Sequence, residues 1–193
     1  MQDTQKTNHA LIWINVLTGS RLAFALVMVL LTPWAVQERW AIVAGVILVL
    51  AIELTDLLDG MLARRQGVVS EFGKMFDPYS DSVSRLMVYW SLAVVGRALV
   101  FVPLVMAVRD VTVSYCRILL SRSGRDVSAR FTGKLKALVQ GVCALMLAAG
   151  PLYWGQQAGR WWVHGLSLLV VLVTLASMVD YAQAALRAST APS

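Results

Sequence analysis

Apolar residues in this chain come in long unbroken runs and not in alternation: 22–36, 40–52, 86–108 (interrupted by Arg97), 135–154 and 161–176. A membrane-spanning helix needs about 20 mostly apolar residues. With their flanks, these runs predict six spans, roughly 11–31, 40–62, 77–95, 98–120, 134–154 and 161–184. The expected fold class is therefore an all-α membrane protein with six transmembrane helices. Six helices with short links use nearly the whole length, so residues 1–193 are expected to form one membrane domain. The first span keeps a polar, basic entry through Arg21 and lacks a small-residue site ending a short apolar core, so it reads as part of the mature protein and not as a cleaved leader.

Composition agrees with this pattern. Hydrophobic residues make up 58% of the chain and charged ones 15%, against about 25% charged in an ordinary soluble domain. In the six-span topology only Arg39, Arg97 and Arg160, of 17 Lys and Arg, fall on one side. Loops rich in positive charge stay cytoplasmic, which predicts both termini on the cytoplasmic side. A net charge of +6 in so apolar a chain points to topology and to anionic lipid phosphates rather than to nucleic acid. Cys116 and Cys143 lie in apolar stretches and read as packing thiols. Trp34, Trp40, Trp154, Trp161 and Trp162 fall near span ends and read as an aromatic belt.

The exception to the apolar pattern is an acidic run, Asp56-Leu-Leu-Asp59-Gly60-Met-Leu-Ala63-Arg64, followed after eight residues by Gly73-Lys-Met-Phe-Asp77-Pro-Tyr-Ser-Asp81. Ionisable residues beside membrane helices are expensive to keep and mark functional sites. Asp56, Asp59, Gly60 and Ala63 are spaced i, i+3, i+4, i+7 and share one helical face. Two carboxylates one turn apart suit a hard cation, the small residues let a ligand approach the backbone, and Arg64 adds a planar fork suited to phosphate. Asp77 and Asp81 repeat the logic at i, i+4. Pro78 is expected in the first turn of span three, with Asp77 at or just before its N-cap and residues 65–76 as a short cytoplasmic turn. Four carboxylates so close need countercharge. Divalent metal supplies it, and paired metals are a recurrent device for in-line attack at phosphorus.

These residues carry a family resemblance. The run matches without a gap D-x2-D-G-x2-A-R-x8-G-x3-D-x3-D, and the chain resembles the CDP-alcohol phosphotransferase family, membrane enzymes of six helices that are often homodimers. The resemblance implies that Asp56, Asp59 and Asp77 ligate two divalent cations, Mg²⁺ or Mn²⁺, with Asp81 touching the second. It implies that Asp81 is the general base, and that Gly60, Ala63, Arg64 and Gly73 hold the cytidine nucleotide and its pyrophosphate. The reaction implied is attack of an alcohol on the β-phosphorus of a CDP-alcohol with release of CMP. The charge bias puts the acidic run at the cytoplasmic side, and the membrane expected is a bacterial inner membrane.

Outside the run, the chain is most similar to phosphatidylglycerophosphate synthases. Asn15-Val-Leu17-Thr18-Gly-Ser-Arg21 follows their N-x-L-T-x-x-R, and Arg109-Asp110, Arg117, Gly133-Lys134-Leu-Lys136 and Gln140 follow later features. The substrates implied are CDP-diacylglycerol and sn-glycerol 3-phosphate. Physically, a phosphate-bearing acceptor needs a basic pocket beside the metals, and Arg109, Arg117, Lys134 and Lys136 are candidates for it. Ser82 stands where a lysine is common and Ala137 where a threonine is frequent. Glu53, one turn before Asp56 on the same face, is an added acid that reads either as an outer ligand or as a proton-sharing partner. Other acceptors (inositol phosphate, serine, phosphatidylglycerol) would use the same chemistry. A small ion or metal transporter is the reading from another class, but it favours acids at the midplane, whereas these lie at one end beside an arginine.

Overall fold

The computed structural model describes the backbone of residues 2–66, 71–122, 131–154 and 160–189, with side chains described for 15–58, 61, 73, 75–121, 131–154 and 160–187. All secondary structure among them is helical. The order is α1 (Gln2–Ala35), α2 (Arg39–Gln66), α3 (Glu71–Val94), α4 (Phe101–Arg122), α5 (Phe131–Trp154) and α6 (Trp161–Ser189). Helix α1 packs on α2 and α3, and α6 packs on α4 and α5. The two groups meet where α2 touches α5 and where α3 touches α4 and α5.

Among the described residues, four helical stretches are long and apolar enough to cross a membrane: Asn15–Ala35, Arg39–Leu58, Phe131–Trp154 and Trp161–Arg187. Helices α3 and α4 have the length, 24 and 22 residues, but not the composition. Asp77, Asp81 and Arg85 interrupt one, and Arg109, Asp110, Arg117 and Arg122 the other. Most of the charges that lower their hydropathy are ones the bundle gathers inside.

Polarity is distributed as a lipid solvent dictates. Large apolar side chains such as Leu30, Ile47, Leu104, Leu172 and Leu186 are exposed, while Ser80, Ser84, Ser91, Ser167, Thr174 and Ser177 are buried. Small hydroxyl residues let membrane helices approach closely and bond across the contact. Ser80 Oγ donates to the Thr18 carbonyl of α1 at 3.1 Å, and Leu99 N–H donates to Ser167 Oγ of α6 at 3.1 Å. The apolar core is built from Ala25, Met28, Val49, Ile52, Leu92, Met106, Leu147 and Val170.

The α3–α4 turn follows from Gly96, whose φ of 72° lies in the left-handed region that glycine enters without steric penalty. Gly96 N–H then donates to Ala93 O at 3.0 Å and Arg97 N–H to Leu92 O at 2.7 Å, the kind of bonds that close a helix C-terminus on a glycine. Arg97 reaches back to the end of α1, where Nη2 donates to Ala35 O at 2.5 Å.

Two expectations are corrected. Asp77 does not begin a helix: α3 starts at Glu71 and passes through Pro78, and α2 runs on to Gln66, so most of 65–76 is helical rather than a turn. Proline's φ is helical, but as the eighth residue of α3 it lies past the first turn, so the helix carries one missing backbone bond there and the ring crowds the carbonyl of Lys74. Trp162 is not part of the belt. It is buried, with its ring against Gly150, where a Cβ would stand 2.7 Å from Cζ2. Trp34, Trp40, Trp154 and Trp161 are exposed, as an interfacial belt requires.

Candidate active site

The acids of α2 and α3 meet at the end of the bundle where α2, α4 and α6 finish and α3 and α5 begin. Arg21 of α1 draws two of them together. It is fully buried, its Nη1 lies 2.6 Å from Asp56 Oδ1, and its Nη2 pairs with Asp77 Oδ1. Carboxylates from two helices therefore sit within the width of one guanidinium. By its position in the sequence Arg21 is an entry charge of span one. In the fold it is the point where α1 enters the site.

Arg85, one turn beyond Asp81 on α3, holds the other half. Its Nε donates to Asp81 Oδ1 at 2.7 Å, and its Nη1 donates to the Ala137 carbonyl of α5 at 3.0 Å. The same Nη1 lies 3.1 Å from Glu53 Oε1, and Nη2 lies 3.6 Å from Asp56 Oδ2. In sequence Arg85 is one of the basic residues on the charge-rich side of the six-span topology. The signal was its i, i+4 spacing from Asp81, which puts the two on one helical face.

Helix α2 also carries Asp59, Gly60, Ala63 and Arg64, but their side chains and surroundings lie outside the described residues. Gly73, in the first turn of α3, is partly buried. Among the described residues no three His, Cys, Asp or Glu side chains form a group able to hold a metal ion alone. The donor chemistry nevertheless fits a divalent cation. Asp56 and Asp77 offer hard carboxylate oxygens beside one another, partly exposed at the mouth of the site, as Mg²⁺ or Mn²⁺ requires.

A second charged cluster adjoins the first across α4, α5 and α6. Arg109 is buried, with Nη1 2.9 Å from Asp110 Oδ1 and Nη2 donating to Ser177 Oγ of α6 at 2.6 Å. Lys136 Nζ, also buried, lies 3.3 Å from the same Asp110 oxygen, and the next residue on α5, Ala137, accepts from Arg85 of the acidic cluster. Arg109 and Arg117 stand over the Tyr181 ring, 5.7 and 5.4 Å from its centroid, a cation–π arrangement. Gly133 makes room for that ring, since a Cβ would lie 3.4 Å from the Tyr181 hydroxyl. Arg109 Nε, Arg117 Nε and Asp110 Oδ2 are buried without a hydrogen-bond partner among the described residues.

Of the four basic residues the sequence singled out, three converge here. Lys134 does not: it is exposed on the outer face of α5. Gln140 serves packing, because Nε2 donates to Thr174 Oγ1 at 2.9 Å and its backbone carbonyl accepts from the Tyr89 hydroxyl at 2.7 Å.

Fold and site thus describe an all-helical, multi-pass membrane protein with an acidic and a basic cluster side by side at one end. The sequence profile of CDP-alcohol phosphatidyltransferases matches residues 12–184. The chain is 33% identical over 162 residues to the CDP-diacylglycerol–glycerol-3-phosphate 3-phosphatidyltransferase of Treponema pallidum, covering 80% of this chain and 75% of that one. It is 30% identical over 182 residues to a Mycobacterium tuberculosis protein named "Probable phosphatidylglycerophosphate synthase", covering 90% and 81%. With the CDP-diacylglycerol–glycerol-3-phosphate 3-phosphatidyltransferase of Salmonella typhimurium it shares 29% identity, covering 82% and 85%. The chain belongs to the CDP-alcohol phosphatidyltransferase family, and is a transferase.

Proposed function

We propose that this chain transfers the phosphatidyl group of CDP-diacylglycerol to a hydroxyl of sn-glycerol 3-phosphate, releasing CMP. The observation that carries the reading is adjacency. Carboxylates suited to cations and cations suited to phosphate meet at one bundle end, where Arg85 of the acidic cluster donates to the carbonyl of Ala137, the residue after Lys136, at 3.0 Å. The names of the Treponema and Salmonella relatives support glycerol 3-phosphate as the acceptor.

In this reaction the acceptor oxygen forms a bond to the β-phosphorus, the bond from that phosphorus to the bridging oxygen of CMP breaks, and the hydroxyl proton passes to Asp81. The family pattern assigns the base to Asp81, and Arg85 orients that carboxylate by donating to one of its oxygens at 2.7 Å. Asp56, Asp59 and Asp77, with Asp81, would hold two divalent cations, Mg²⁺ or Mn²⁺, which when bound neutralise the pyrophosphate and the departing CMP. Gly60, Ala63, Arg64 and Gly73 receive the nucleotide. Arg109, Arg117 and Lys136 receive the acceptor phosphate through charge-assisted hydrogen bonds.

The spanning length of α3 and α4 and the internal partners of their charges support six spans. The basic loops support cytoplasmic termini and a cytoplasmic site. The test is CMP release by the purified full chain in detergent, with CDP-diacylglycerol, divalent metal and a panel of alcohols. Glycerol 3-phosphate is expected to be the preferred acceptor. CMP release driven better by inositol phosphate, serine or phosphatidylglycerol would reassign the acceptor, and none with any alcohol would end the reading.

A further inference from the structure

We propose that Glu53, seated in the space left by Gly141, is a positioning residue that sets the direction of Arg85 and through it the aim of Asp81. The inference rests on Asp81 being the base of the reaction above.

Arg85 is buried, and Glu53 takes both of its terminal nitrogens. Nη1 lies 3.1 Å from Oε1 and Nη2 donates to Oε2 at 3.3 Å. Two parallel contacts fix the plane of a guanidinium as well as its distance. With the plane fixed, Nε–H can point only along one line, and Asp81 Oδ1 accepts there at 2.7 Å. Without Glu53 the fork would keep only the Ala137 carbonyl on Nη1, and Nη2 could turn toward Asp56, whose Oδ2 is already 3.6 Å away. Asp81 would then lose a fixed partner.

Helix α5 is shaped to this arrangement. The Glu53 carboxylate crosses from α2 to lie against Gly141, where a Cβ would stand 2.7 Å from Glu53 Cδ and 2.9 Å from Oε1. Real Cβ atoms do not approach so closely, so any side chain at 141 would displace the carboxylate. An ion pair inside a bundle gives little net stability relative to an apolar pair of similar volume. What this one contributes is orientation. Asp81 and the Ala137 carbonyl each hold one nitrogen of the guanidinium, and Glu53 is the partner that engages both terminal nitrogens.

The experiment measures kcat and both KM values for the full chain in detergent, for Glu53→Gln, Glu53→Ala, Gly141→Ala and the double variant Glu53→Ala with Gly141→Ala, alongside thermal unfolding of each. Outer partners of a reacting group typically contribute about 10- to 100-fold. Glu53→Ala and Gly141→Ala are each expected to lower kcat by about that factor with both KM values held, the pattern of an interaction that matters in the transition state. The double variant should be no slower than Glu53→Ala, because the methyl group added at position 141 then has no carboxylate to displace. Independent structural defects would multiply instead. Glu53→Gln keeps the shape and fold and should also lose turnover, by less than Glu53→Ala. Wild-type kcat in both Glu53→Gln and Gly141→Ala, or multiplied losses in the double variant, would overturn the inference while leaving the reaction standing. A wild-type chain that releases no CMP would overturn the reaction and this inference with it.

Discussion

Around Arg21 and Arg85, the carboxylates of Glu53, Asp56, Asp77 and Asp81 share two guanidiniums. Across the bundle, a single carboxylate, Asp110, is shared by Arg109 and Lys136, with Arg117 stacked beside them on Tyr181. The two clusters use the same kinds of side chain in opposite proportion, so their unmet charge has opposite sign. Among the described residues the first has more carboxylates than cations and the second more cations than carboxylates. On the proposed function a divalent ion would complete the first and a phosphate the second. Like charges a few ångströms apart raise one another's energy, so each cluster carries its own counter-charges. Side by side they stabilise each other, and they also define where a metal-bound pyrophosphate and a phosphorylated alcohol would meet.

The comparison breaks first, and most severely, on the acidic side. Asp77→Asn or Asp56→Asn should abolish turnover and weaken metal binding together, since each removes a charged ligand and one of the carboxylates that Arg21 gathers. Near-normal activity of Asp77→Asn at limiting Mg²⁺ or Mn²⁺ would mean that the excess of carboxylates is not there to hold metal.

Asp81→Asn comes next. A general base contributes about 10²- to 10⁴-fold, so single-turnover rates should fall within that range while CDP-diacylglycerol affinity survives. Collapse of affinity with an intact rate for bound substrate would make Asp81 a ligand rather than the base.

The basic side should respond differently. Arg109→Gln or Lys136→Met is expected to raise the KM for glycerol 3-phosphate by about 10- to 100-fold, corresponding to one charged hydrogen bond of about 1.5–3 kcal/mol. The KM for CDP-diacylglycerol should hold. Equal effects on both substrates would erase the division of labour between the clusters. Lys134→Gln is the smallest change and the sharpest control. An exposed charge contributes little, so acceptor KM should move less than about twofold. An effect as large as that of Lys136→Met would place the acceptor on the outer face of α5.

Much of this was legible in the chain. The apolar runs placed six helices, and the spacing of Asp56 and Asp59 and of Asp77 and Asp81 placed each pair of acids on one helical face, because residues one turn apart on a helix must share a face. Arg109 stood out as a charge inside an apolar stretch. The roles of Arg21 and Arg85 were not legible. Each resembles a boundary charge in sequence. Arg21 acquires its function from partners 35 and 56 positions away, and Arg85 from Glu53 and Ala137 on two other helices. Trp162 and Trp161 are neighbours with the same side chain, yet one packs on Gly150 and the other faces outward, which no local pattern could separate.

What the sequence determined by itself is what depends on short-range periodicity: helical segments, membrane partition, and the grouping of acids on α2 and on α3. What only the tertiary structure decided is which charges meet. Ion pairs between helices depend on how α1, α3 and α5 rotate and cross, and those angles are set by the small residues and core side chains of all six helices together. Gly141 illustrates the division. In sequence it is one more glycine in an apolar helix, and its consequence appears only where the carboxylate of Glu53 arrives from α2 to occupy the space it leaves.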